Sequence, residues 1–139
     1  MAIVSVVSPP QIVLENRNGS IIENGRQLRD FWMAVQQHAP TLAKQSGIVL
    51  DISALYTTAN RRNDSFEASL TAVPIAGIRG LHVHTRHQAP PSADDTIPWE
   101  TVFEKVREIP HDFFINPELH HKNQVGDTIA FCERYLGEE

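Results

Sequence analysis

Four short apolar runs, each followed by a stretch with helical spacing, constrain this 139-residue chain more than any other feature. The runs are QIVLE at 11–15, GIVLDI at 47–52, IRGLHVH at 78–84 and DFFINPEL at 112–119. Most are rich in branched or aromatic residues, which fit a pleated, half-buried surface, and they read as strands. Between them apolar residues recur at helical spacing. Leu28, Trp32 and Val35 mark a first helix, Phe66 and Leu70 a short second, Val102, Val106 and Ile109 a third, and Ile129, Cys132 and Leu136 a fourth. The order βα, four times over, predicts an α/β fold built on a parallel sheet with right-handed crossovers. Near-continuous apolar strands further imply a sheet covered on both faces. Residues 2–7 form another apolar run, a fifth strand or an ordered arm, so four to five βα units are expected.

The length suits a single domain spanning residues 1–139. No segment approaches the ~18 uninterrupted apolar residues of a membrane span. The N-terminal apolar run has no basic residues ahead of it and soon meets Pro9 and Pro10, which is not a secretory signal, so the cytoplasm is the expected compartment. The single cysteine, Cys132, excludes an internal disulfide framework and a cysteine-based zinc cluster. On an apolar helical stripe it is expected to pack in the core. A net charge of −5 supplies no global positive field for a phosphate backbone, so nucleic acid is not an expected partner.

Each predicted strand ends in polar residues that a strand interior would not hold. The first ends in Glu15 and Asn16, the second in Asp51, the third in His82 and His84, and the fourth in Glu118, followed by His120 and His121. Side chains at the C-terminal ends of adjacent parallel strands converge on one face, where active sites of α/β proteins are built. Glu15, Asp51, a histidine and Glu118 are therefore expected at one mouth. Mixed carboxylate and imidazole donors suit divalent manganese, iron, cobalt, zinc or magnesium. Each residue also has a plain structural role available, since Asp51 can cap a helix and Glu118 can pair with a lysine. His82 and His84 are read as facing opposite sides of their strand, with one at most turned to the interior. His87, His120 and His121 are read as loop histidines. The long connection at 85–98, with three prolines and the pair Asp94 and Asp95, is placed to cover a site.

The segments VLENR, GIVLDISALY, GLHVHTRH, TIPWETVF and NPELHH, in that order and spacing, resemble the C-terminal half of the xylose isomerase-like TIM barrels. That superfamily includes sugar isomerases and epimerases, endonuclease IV-like enzymes and a branch of multinuclear non-heme iron oxidases. The resemblance implies a half or partial TIM barrel with a divalent metal (Mn, Co, Zn or Fe) held by Glu15, Asp51, His82 or His84, and Glu118. The IPW phrase at 97–99 favours His84, and the spacing from LDISALY to GIRGLH favours His82. Ala54 stands where many relatives carry a histidine. Asp94 and Asp95 only partly match an aspartate–histidine pair of the oxidase branch. A full barrel of this kind runs to about 250 residues, so the resemblance covers half of one.

The activity this implies is metal-dependent isomerisation or epimerisation of a small sugar or polyol, with Glu15 and Glu118 moving the proton. Asn16, Arg17 and Arg86 are expected to contact substrate oxygens. The alternatives are an iron oxidase of a peptide substrate and a non-catalytic half-barrel acting as a binding or assembly subunit. The open edges of half a barrel imply a homo-oligomer or a partner chain that completes it.

Overall fold

The computed structural model describes residues 11–85 and 88–137. The apolar run at 2–7, Arg86 and His87 lie outside the described residues. Strands β1 (Ile12–Glu15), β2 (Ser46–Asp51), β3 (Ile78–Val83) and β4 (Phe114–Pro117) lie within a residue or two of the apolar runs. All pair in parallel, in the order β1-β2-β3-β4. Consecutive order without reversal belongs to a barrel wall, whereas a doubly wound sheet reverses direction at a switch point.

Helix α1 (Gly25–His38) begins with a complete capping box, in which Asn24 accepts from the Gln27 N–H and Gln27 returns a bond to the Asn24 N–H. A single turn, α2 (Pro40–Ala43), leads into β2. Two helices then follow where the spacing predicted one: α3 (Ile52–Arg62) and α4 (Phe66–Ala72). α3 starts at once after β2, so its first residue, Ile52, reads as the end of the strand run. Its termini are nonetheless marked, by Asp51 as N-cap and by Asn63 in the left-handed conformation at φ 55°. Helix α5 (Trp99–Val106) stops before Ile109, and α6 (Val125–Leu136) closes the described chain.

The outward faces of β2 and β3 carry Ile48, Leu50, Leu81 and Val83, which pack with Leu28, Leu55, Leu70, Val102 and Phe103 of the helices into one apolar cluster. Trp99, Phe103, Phe131 and Tyr135 extend it as an aromatic group, with Phe103 and Tyr135 stacked at 4.7 Å between ring centroids. Cys132 lies in this cluster, and burial pushes its thiol up to about 11, leaving it protonated and inert. Coverage on both faces holds for β2, buried along its whole length, but not for the edges. Ile12 and Val13 of β1 and Phe114 of β4 stay substantially exposed.

Two packing details tie the elements together. Gly25 donates its N–H to Ser69 Oγ at 2.8 Å, and a Cβ at this position would collide with the Ser69 carbonyl. Glu23, only 2% exposed, accepts from the Gly19 N–H at 2.7 Å and pairs with Arg61 and Arg62 of α3, which staples the β1–α1 loop to the neighbouring unit. The Gly19 bond leads in holding the Glu23 carboxyl below its ordinary 4.5; burial opposes it and the two arginines assist.

Gly25→Ala is expected to destabilise the fold by about 1–3 kcal/mol through overpacking, although alanine is the better helix former by about 1 kcal/mol. A variant melting at or above wild type would show that the α1–α4 contact yields. For Glu23, the lowered folded value means its stabilisation is full above pH 4.5 and fades as pH falls through that lowered value. Melting of wild type and Glu23→Gln across pH should therefore diverge at neutrality and converge in acid; a gap independent of pH would contradict this.

Candidate metal centre

The site is a consequence of strand register. Glu15 pairs with Val49, Asp51 with His82, and His82 with Asn116, so β2, β3 and β4 end close to one level while β1 ends at Glu15, opposite Val49 and short of Asp51. Between β2 and β3 the register shifts by one residue at Ile48 and Val49, with Arg79 left over. Without that bulge Asp51 would stand level with Leu81, whose side chain belongs to the apolar cluster. The bulge turns His82 toward the carboxylates instead, and re-aiming a side chain beside a site is a recurrent use of bulges.

Glu15, Asp51, His82 and Glu118 each offer one donor atom, and the four atoms lie within 4.8 Å of one another. Two ligands on opposite sides of an ion with bonds of about 2.1 Å lie about 4.2 Å apart, so the group fits a single divalent cation after slight contraction. His82 Nδ1 is 2.9 Å from Glu15 Oε1 and 3.4 Å from Glu118 Oε2. Asp51 divides its two oxygens. Oδ1 accepts from the Ala54 N–H at 2.8 Å as the cap of α3, and Oδ2 faces the cluster. The capping role and the ligand role thus coexist on one side chain.

The expected opposition of His82 and His84 is not what the structure holds. Residues two apart on a strand share a face, and both rings meet the carboxylates. His84 Nδ1 donates to the Thr85 carbonyl at 3.0 Å, which leaves Nε2 toward Asp51 Oδ2 at 3.3 Å and Glu118 Oε2 at 3.7 Å. Burial pulls the His84 imidazole toward its neutral form, yet Asp51, the Thr85 carbonyl and Glu118 outweigh it and raise its pKa above the ordinary 6.5. His84 therefore orients Asp51 from beside the four-atom group, as an imidazole hydrogen-bonded to a ligating carboxylate does.

Asn16, expected to contact substrate oxygens, is fully buried, with its side-chain amide bonded to the Asp51 backbone on both sides. Arg17 lines a polar cavity of about 300 Å³ together with Glu15, Asn18, Asp51, Ala54, His84, Gln88 and Glu118. Arg86 lies outside the described residues. Asn18 and Gln88 went unremarked in the sequence because nothing in their spacing separates them from loop residues. Ala54, in the first turn of α3, leaves the cavity wall without a polar group at that point. A second hollow, of about 520 Å³, lies between α3 and the 94–97 segment and contains none of the four donor atoms. Asp95 on its rim is committed to the Trp99 indole N–H and the Ser92 N–H, each at 2.9 Å. His120 and His121 are exposed loop residues, as expected.

No family model and no curated protein sequence matches the chain. Solved structures do. D-psicose 3-epimerase with D-tagatose from Clostridium cellulolyticum H10 superposes with a TM-score of 0.64 at 15% identity, over 89% of this chain and 48% of the epimerase. D-psicose 3-epimerase in the presence of D-fructose gives 0.62 at 14%, over 92% and 50%, and a D-tagatose 3-epimerase-like protein 0.62 at 20%, over 91% and 46%. The chain has the fold of half a sugar-epimerase barrel. It spans about half the length of these structures, and the partial parallel βα barrel expected from the sequence is the fold found.

Asp51→Asn retains a cap for α3, whereas Asp51→Ala removes it. The alanine variant is expected to melt lower than the asparagine variant by the equivalent of about 1 kcal/mol. Both should weaken cobalt(II) binding by more than about tenfold. Calorimetry with and without cobalt separates the two roles, and equal melting of the two variants would remove the capping role.

Proposed function

We propose that residues 1–139 form one half-barrel domain of a divalent-metal-dependent sugar epimerase or isomerase. The observation that carries this reading is the set of four donor atoms within 4.8 Å at the ends of four consecutive parallel strands, on a fold shared with ketose epimerases. A divalent ion bound by Glu15, Asp51, His82 and Glu118 would polarise a sugar carbonyl and its neighbouring hydroxyl. Glu15 ends one outer strand and Glu118 directly follows the other, with Asp51 and His82 on the strands between them. That placement lets one glutamate remove the proton beside the carbonyl from one face of the sugar and the other return it from the opposite face. Arg17 and Gln88 on the cavity wall supply donors for hydroxyl oxygens. The cavity of about 300 Å³, lined mainly by polar groups, suits a small polyhydroxylated molecule. The cytoplasm is the proposed compartment; among the described residues no helix is long and apolar enough to cross a membrane.

Turnover in this reading needs the other half of the barrel. Exposed Ile12 and Val13 at one edge, and exposed Phe114 with the apolar groove of Ile115, Pro117, Val125, Ile129 and Leu136 at the other, support a second copy or a partner chain in that place.

The test is incubation of the protein with manganese(II) or cobalt(II) and a ketohexose in heavy water, reading deuterium at C3 by mass spectrometry and mass in solution by light scattering. Metal-dependent incorporation is expected, falling by about 10²- to 10⁴-fold in Glu15→Gln and Glu118→Gln. A wild-type protein that binds metal at the site and forms a closed assembly, yet exchanges nothing, would exclude the epimerase reading.

A further inference from the structure

Asn16 is an asparagine with no exposed surface at the lip of a polar site, and its amide is spent entirely on one residue's main chain. Its Nδ2 donates to the Asp51 carbonyl at 3.0 Å, and its Oδ1 accepts from the Asp51 N–H at 2.9 Å. The reason lies in the ladder. Ile12 donates to the Gln45 carbonyl at the start of β1. Continued in steps of two, a parallel ladder would bond the Asp51 N–H to the carbonyl of residue 16 and the Asp51 carbonyl to the N–H of residue 18. β1 ends at Glu15, however, and the chain turns away into the loop that Glu23 staples to α3. The side chain of Asn16 replaces both missing main-chain partners.

We infer that Asn16 is a positioning residue that locks the candidate ligands Glu15 and Asp51 at a fixed separation. It is joined covalently to Glu15 and by a two-point hydrogen bond to the backbone of Asp51. This inference rests on the reading of Glu15, Asp51, His82 and Glu118 as an ion site, and it extends that site to a residue that offers no atom to the ion. The clamp lets β1 end at its ligand, so the loop can open the cavity, without freeing the end of β2 that carries Asp51. Two buried hydrogen bonds to a single backbone unit also leave no unpaired polar group at the point where the sheet stops.

The test compares cobalt(II) affinity and amide exchange in the wild type, Asn16→Asp, Asn16→Ala and, as a remote control, Ser65→Ala. Ser65 caps α4 through the Ala68 N–H, far along the chain from the site. Asn16→Asp is the decisive variant because two effects have opposite sign. Added negative charge beside a cation site strengthens binding if Asn16 is only a neighbour, whereas loss of the donor to the Asp51 carbonyl weakens binding if Asn16 is the clamp. The expected result is affinity lower by about 10- to 100-fold in both Asn16 variants. Ser65→Ala should lose thermal stability and keep its affinity. The Asp51 amide should exchange as slowly as interior amides of β2 in the wild type and faster in the Asn16 variants. Affinity in Asn16→Asp equal to or above wild type would overturn the inference while leaving the ion site standing. Absence of cobalt binding in the wild type would overturn the ion site and this inference with it. Should the Asn16 variants not fold, the wild-type exchange decides: an Asp51 amide as labile as a frayed strand end overturns the clamp.

Discussion

Register among the four parallel strands is the constraint on which the remainder of this structure depends. Apolar side chains alternate outward along β2 and β3 and are held against the helices, so a slip of one residue would expose Ile48, Leu50, Leu81 and Val83 and bury their polar neighbours. The same alternation sends Asp51, His82 and His84 to the opposite side. Burial of the outward face and assembly of the polar mouth are therefore one event, driven by the hydrophobic term and expressed as chemistry at the strand ends. The bulge at Arg79 is the single irregularity in this scheme, and it brings His82 rather than Leu81 level with Asp51.

Around that sheet, polar residues do structural work that permits the site. Asp51 uses one oxygen to start α3 and turns the other to the cluster. His84 is fixed by its own neighbour's carbonyl and holds Asp51 in turn. Glu23 gathers a backbone N–H and two arginines to pin the β1–α1 loop, and Asn16 closes the end of the ladder. The buried side chains of Asn16, Glu23, Asp51 and His84 are all paired, as the cost of leaving a buried polar group unpaired demands. Asp51 among the candidate ligands is consequently held by second partners, Asn16, the Ala54 N–H and His84, before any ion arrives.

The half-barrel architecture gives these residues a defined mouth but leaves two edges. β2 is covered along its length, while the flanking strands keep apolar residues in solvent. An eight-stranded barrel has no such edges, since closure pairs the first strand with the last. That contrast gives physical content to the half-length match with the epimerases: what the chain contains is one arc of candidate metal donors and the helices behind it, and what it leaves open is the opposite wall.

Much of this was legible in the amino-acid order. The short apolar runs and the helical periodicity of the apolar positions between them determined the four strands, most of the helices and the parallel α/β class, because burial is a local pattern along the chain. The strand-end positions of Glu15, Asp51, His82 and Glu118 were legible for the same reason. Tertiary structure decided the rest. α3 was hidden because Ile52 continues the apolar run of β2, and only its two caps betray it. His82 and His84 share a face, and the bulge that levels His82 with Asp51 is a property of two strands together, which neither strand encodes alone. The bonding of Asn16 to the Asp51 backbone was not legible because its partner stands 35 residues away, and a hydrogen bond across that separation exists only once the sheet has formed.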